Sequence, residues 1–179
     1  MRIVTLVIGV IVLTGALVFD PAPLPAQEGT PAADCPTTTE DENEALVLRW
    51  HQEAINGHDP DVIDEIVAPD IVHHAGTLPD GVGPDAVRKV LATLLTGFPD
   101  VKHTIDDTVT EDDIVVVRWT ATGTQTGEFQ GYAPTGKLAT WTGINIYRIA
   151  CGRIAEEWSE VDGIGRLQQL GVMATPAPR

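Results

Sequence analysis

Along this chain, apolar residues recur first at helical spacing and then, past residue 100, at every second position. Thr39-Glu-Asp-Glu42 is a capping box, and Leu46, Trp50 and Ala54 follow it on one helical face. Asn56-Gly57 is the expected stop. Asp59-Pro60 opens a second, short helix that buries Val62, Ile63 and Ile66, and Pro69-Asp70 is expected to end it. Ile71-Val-His-His74 reads as a brief extended segment that leads into a loop, Ala75 to Gly83. Pro84 then opens a third helix with a stripe of Val87, Val90, Leu91 and Leu94, closed by Gly97 and Pro99.

Two strands, Val101–Thr110 and Ile114–Gly123, come next, joined by the acidic turn Glu111–Asp113. In the second, Val115, Val117, Trp119 and Ala121 alternate with Val116, Arg118, Thr120 and Thr122. Thr124–Gly136 reads as a loop, and Leu138–Ile149 as a long strand. Cys151-Gly152 turns that strand into Arg153–Val161. Gly163-Ile-Gly165 breaks the pattern, and Arg166–Leu170 forms a short terminal helix. Helices followed by antiparallel strands give an α+β fold. The helices cannot cover both faces of so long a sheet, so the sheet is expected to curve around them and leave a pocket at the open end.

With a period of two, Ile154, Glu156, Trp158, Glu160 and Asp162 share one face of the last strand. That places a carboxyl beside an apolar wall, where burial raises a carboxyl pKa towards useful values. The plainer reading is an edge strand with solvated acids and one core tryptophan. Trp50, Trp119 and Trp141 read as core or sheet-face residues. His51 and His58 read as helix-surface and turn residues, and His103 as an exposed strand position. His73 and His74 alternate, so one points in and the other out.

Composition narrows the partners. The 179 residues carry a formal charge of −15, with no basic run to offset it, which argues against nucleic acid and anionic membrane surfaces. Met1-Arg2 and the apolar run Ile3–Phe19 read as a signal peptide cleaved near Leu24-Pro-Ala26, or as an uncleaved N-terminal anchor. Either places the domain outside the cytoplasm, with membrane contact only through that segment if it is kept. Residues 1–26 are thus the leader, 27–38 a Pro/Ala/Thr-rich linker, 39–172 the domain and 173–179 a tail. In an exported chain, Cys35 and Cys151 are expected to pair, the alternative being two free thiols. No helical His-x-x-x-His or Glu-x-x-His pair occurs, so no metal is expected.

Several short motifs occur in one order: Asn56-Gly-His-Asp59, His74-Ala75, Phe98-Pro-Asp100, Gly123-Thr-Gln-Thr-Gly127, Pro134-Thr-Gly-Lys137, Trp158 with Asp162, and Gln169-Leu-Gly171. Together they resemble the SnoaL-like polyketide cyclase (ester cyclase) family, of the nuclear transport factor two-like fold. The resemblance implies a cone-shaped α+β domain, often a homodimer through the sheet. It also implies intramolecular aldol closure on a small apolar carbonyl compound, with neither metal nor cofactor. Carried over residue by residue, it gives Asp162 the general acid/base role and makes His74 the inward histidine of the pair. Trp158 becomes a pocket wall. Gln125 stands where the family usually has histidine, and glutamine cannot exchange a proton near neutral pH. His74, Gln125 and Asn145 are candidate hydrogen-bond donors to an enolate oxygen, and Trp141 and Tyr132 candidate substrate contacts. The alternative function is a non-catalytic protein that binds a hydrophobic small molecule on the same fold.

Overall fold

The computed structural model describes residues 35–75 and 80–174 of the chain. The leader, most of the linker and the end of the C-terminal tail lie outside these residues. Helix α1 (Glu40–Arg49) starts at the expected capping box: the Glu42 backbone N–H donates to Thr39 Oγ1 at 3.3 Å, and the Thr39 N–H donates to Glu42 Oε2 at 2.8 Å. A π-helical turn, Trp50–Ile55, continues it and buries Trp50, His51, Ala54 and Ile55. Helix α2 (Val62–Ile66) is short, and strand β1 (Val67–His74) follows at once. Pro69-Asp70 therefore lies inside β1 rather than ending a helix. Its neighbour strand pairs with Val67 and then only from Val72, so the missing proline N–H leaves no bond unmade.

A two-residue β2 (Gly81–Val82) precedes α3 (Pro84–Gly97). Strands β3 (Lys102–Glu111), β4 (Ile114–Thr124), β5 (Leu138–Ala150) and β6 (Arg153–Val161) complete the sheet, and α4 (Gly163–Leu170) follows. The sheet is curved and open, in the order β2-β1-β6-β5-β4-β3, with only β1 and β6 parallel. The core lies between its inner face and the helices. β5 alternates without a break, sending Ala139, Trp141, Gly143, Asn145, Tyr147 and Ile149 inward. Gly143 has to be glycine: a Cβ there would sit 2.2 Å from the Trp119 ring, which packs across it.

The β5–β6 connection is the expected two-residue turn. Cys151 and Gly152 have φ of 55° and 69°, the left-handed pair that matches the twist of a tight hairpin. Cys35 and Cys151 form a disulfide, with Cα atoms 4.7 Å apart. Among the described residues, no helix is long and apolar enough to cross a membrane.

β6 departs from simple alternation at one residue. Ile154 pairs with Ile149 and Glu156 with Arg148, so Ala155 is an extra residue, a β-bulge. Before the bulge Ile154 faces the core; after it Glu157 does, while Glu156, Trp158 and Glu160 turn to the outer face. The single face expected for Ile154 through Asp162 is thereby split.

Candidate functional site

The bulge brings an acid into the core. Glu157 is 4% exposed, and its Oε2 lies 2.8 Å from Nδ1 of His73, itself 6% exposed. Asn145, inward on β5, donates from Nδ2 to Glu157 Oε1 at 2.5 Å and accepts from Trp119 Nε1 at 2.5 Å. Burial opposes a charge on His73, but the hydrogen bond and the negative charge of Glu157 outweigh it. The imidazole pKa is therefore raised above its ordinary value.

A second group of polar side chains adjoins the first. Tyr147 lies next to Glu157; burial first, and the nearby carboxylate second, hold its phenol pKa well above the usual value. Its hydroxyl lies 3.2 Å from His51 Nε2, and His51 Nδ1 lies 3.2 Å from His103 Nδ1. The His103 ring stacks on Trp119, with centroids 4.3 Å apart. Burial lowers the pKa of His51 to about 3, helped by His103, and that of His103 to about 4. Both rings are therefore neutral at pH 7, while the pair nearer β1 favours an imidazolium facing a carboxylate. One interior thus holds two histidines kept neutral and one inclined to charge. That is an arrangement able to store and return a proton.

The side chains proposed from sequence are distributed differently. Asp162 is exposed and caps α4, its Oδ1 accepting from the Gly165 N–H at 2.8 Å. Its expected burial against Trp158 is corrected by the bulge, which puts Trp158 on the outer face. Asp162 borders a hollow of about 340 Å³ together with Arg118, Thr142 and Glu160. His74 is the outward histidine, not the inward one. Its ring stacks on Trp158 at 5.3 Å, and its nitrogens lie 3.0 Å from Asp80 and from Glu156. Pairing with Glu156, helped by Asp80 and opposed by slight burial, raises its pKa.

Gln125 is fully buried but serves its own loop. It accepts from Thr135 Oγ1 at 2.8 Å and points Nε2 at the carbonyls of Gly127, Tyr132 and Ala133. Tyr132 is half-buried in a tight turn with Phe129. Trp141 is core, packed against Phe98 at a tilt and close to Arg166. Of the expected set, only Asn145 belongs to the buried cluster.

Sequence reasoning passed over Glu157, His51 and His103. For His103 a signal existed: Val101, His103 and Ile105 alternate on the inner side of β3, which makes the expected exposed position incorrect. His51 turns inward because the π-helical turn widens the helix beside Trp50, so the surface position expected for it is corrected as well.

With the geometry in place, comparisons with known proteins converge. The profile of the SnoaL-like polyketide cyclase family matches residues 45–170. Among solved structures, a protein of Jannaschia sp. CCS1 named as a SnoaL-like polyketide cyclase has a TM-score of 0.71 at 25% identity, covering 80% of this chain and 99% of that one. AclR of Streptomyces galilaeus, named as a hydroxylase, has a TM-score of 0.69 at 29% identity, covering 78% and 87%. IdmH of Streptomyces antibioticus, named as a polyketide cyclase, has a TM-score of 0.63 at 31% identity, covering 72% and 98%. A search of curated proteins gives no match.

Proposed function

Because the chain belongs to the SnoaL-like polyketide cyclase family, we propose that it performs cofactor-free proton transfer on a small apolar carbonyl compound, with Glu157 and His73 as the exchanging groups. The observation that carries this reading is the buried carboxylate–imidazole pair between the sheet and the helices. In an intramolecular aldol closure, a Glu157 oxygen takes the proton from the carbon next to a carbonyl. The enolate carbon then bonds to a second carbonyl carbon, and the alkoxide so formed takes the proton back. Charge and atoms balance without an oxidant. His73 holds the carboxylate in place and offers a positive charge to the oxyanion. Ser159 pairs directly with Asn145 and is only half-buried, which marks the more open side of the pair towards α4. The roles given from sequence to Asp162 and His74 thus pass to Glu157 and His73.

The disulfide supports work in an oxidising compartment, and so export. Ile144 and Ile146, exposed on the outer face, mark where we place the expected homodimer contact; light scattering measures it. The second reading, a ligand carrier, is favoured by the full hydrogen bonding of Glu157. The experiment is turnover of a panel of 1,3-dicarbonyl methyl esters by wild type, Glu157→Gln and Asp162→Asn. Glu157→Gln is expected to lose about 10²–10⁴ in rate, and Asp162→Asn to keep most of it. Loss in Asp162→Asn alone returns the role to the rim, and turnover by none of the three favours the carrier.

A further inference from the structure

We propose that Arg166 anchors a second binding site, which takes the carboxylate of a small organic acid with an apolar or aromatic body. Arg166 lies in the first turn of α4 and is 6% exposed. Its guanidinium carbon sits 4.5 Å from the centre of the Phe129 ring and 5.0 Å from that of Trp141. Rings therefore cover the group, and its N–H edge is left without an acceptor. Among the described residues Arg166 makes no side-chain hydrogen bond or ion pair, and its Nε is buried with no partner.

The other arginines of the described residues show how unusual this is. Arg49 pairs with Glu53 and Glu65, Arg88 with Asp64 and Asp85, Arg118 with Asp106, and Arg148 with Asp113 and Glu156. Arg153 donates to the carbonyls of Asp64 and Val67. In a chain with 26 acidic and 11 basic residues, partners are plentiful. The most buried of these arginines is the one without a partner. Burial lowers its pKa to about 10 against the pull of Asp162, so it still carries its charge at pH 7. A buried charge with no ion-pair partner in contact is costly, and a cation in the first turn of a helix faces the positive end of the dipole. An incoming anion relieves both.

The geometry also selects the anion. Two rings flank the guanidinium, so a ligand meets its planar N–H edge, which fits the two oxygens of a carboxylate. Phe98, which packs against both Phe129 and Trp141, extends the apolar surroundings. Phe129 rides on the tight turn Gln130-Gly131, whose φ values of 50° and 83° place both residues in the left-handed region. A hollow of about 540 Å³ bounded by Lys89, Thr96, Glu128 and Gly131 lies alongside that turn. The site does not depend on the chemistry at Glu157: a chain that binds acids but turns nothing over still satisfies it.

The test is titration of the full chain with benzoate, benzamide and inorganic phosphate, followed by calorimetry and by intrinsic tryptophan fluorescence. Wild type is expected to bind benzoate saturably and benzamide at least ten-fold more weakly. Arg166→Met keeps the bulk between the rings and removes the charge. It is expected to weaken benzoate at least ten-fold while melting at or above the wild-type temperature. Arg166→Lys, a cation without the planar fork, is expected to fall between the two. No saturable benzoate binding by wild type overturns the proposal, as does equal binding of benzoate and benzamide, or phosphate binding more tightly than benzoate. If Arg166→Met does not fold, Arg166→Lys decides: undiminished benzoate binding by it overturns the planar-edge site.

Discussion

His73 and His74 are neighbours on β1, and Glu157 and Glu156 are neighbours on β6, so the same imidazole–carboxylate pair is built twice, once on each face of one sheet. The contacts are nearly equal, 2.8 Å inside and 3.0 Å outside. Their surroundings are not. The inner side chains are 8% and 5% exposed and the outer ones 26% and 30%. Asn145 completes the inner pair, whereas Asp80, Arg148 and solvent share the outer one. Contact distance therefore says little about what a pair contributes. What counts is whether water can replace a lost partner.

The strongest way to break this comparison is to insert one alanine between Glu156 and Glu157. Every later residue of β6 then changes face: Glu157 leaves His73 for the outer side, and Trp158 and Glu160 turn inward. The expected result is loss of the folded state, about 5 kcal/mol or more, read by urea unfolding. An insertion variant that unfolds at the wild-type urea concentration would show that the register of β6 does not set the faces.

Next in size is truncation of the two acids. Glu157→Ala strands a buried imidazole that favours its charge, and is expected to cost about 3–5 kcal/mol. Glu156→Ala is expected to cost under about 1 kcal/mol. Equal losses in urea would erase the distinction between inside and outside.

The pH profile sharpens the comparison from another side. His73 has a raised pKa, so its contribution is complete below about 6.5, the unfolded value, and fades as pH rises through the folded one. His51 and His103 have depressed values, about 3 and about 4, so their contribution is present above 6.5 and is lost as pH falls towards 4. Urea midpoints measured from pH 4 to pH 9 are expected to peak between these limits. A midpoint unchanged from pH 7 to pH 4.5 would contradict the neutral pair. The smallest effect is expected for His74→Ala, under about 1 kcal/mol, with a change in total tryptophan emission as the ring stacked on Trp158 is lost.

Much of this fold can be read from local signals. The capping box at Thr39, Pro84 at the start of α3 and the alternation of β5 each act within a few residues, and the structure follows them. The candidate site was less legible. Ala155 has no special backbone requirement to mark it as a bulge, and period two carried through it inverts every later residue of β6. The same lack of a local mark hid the inward turn of His51, because a π-helical turn is decided by what packs on either side of it. Asp162 was legible as polar at a strand end, but its cap on Gly165 depends on where α4 begins.

The Cys35–Cys151 bond changes how the domain bears force. Tension applied ahead of Cys35 does not reach α1; it crosses the sulfurs directly to the β5–β6 turn. Between the two ends of the chain, only the stretch from Cys151 onward is then under load. β6 is peeled from β5 and β1 while residues 36–150 stay slack, α3 and the β3–β4 pair among them. Reducing the bond moves the load to α1 and makes the whole domain part of the tether.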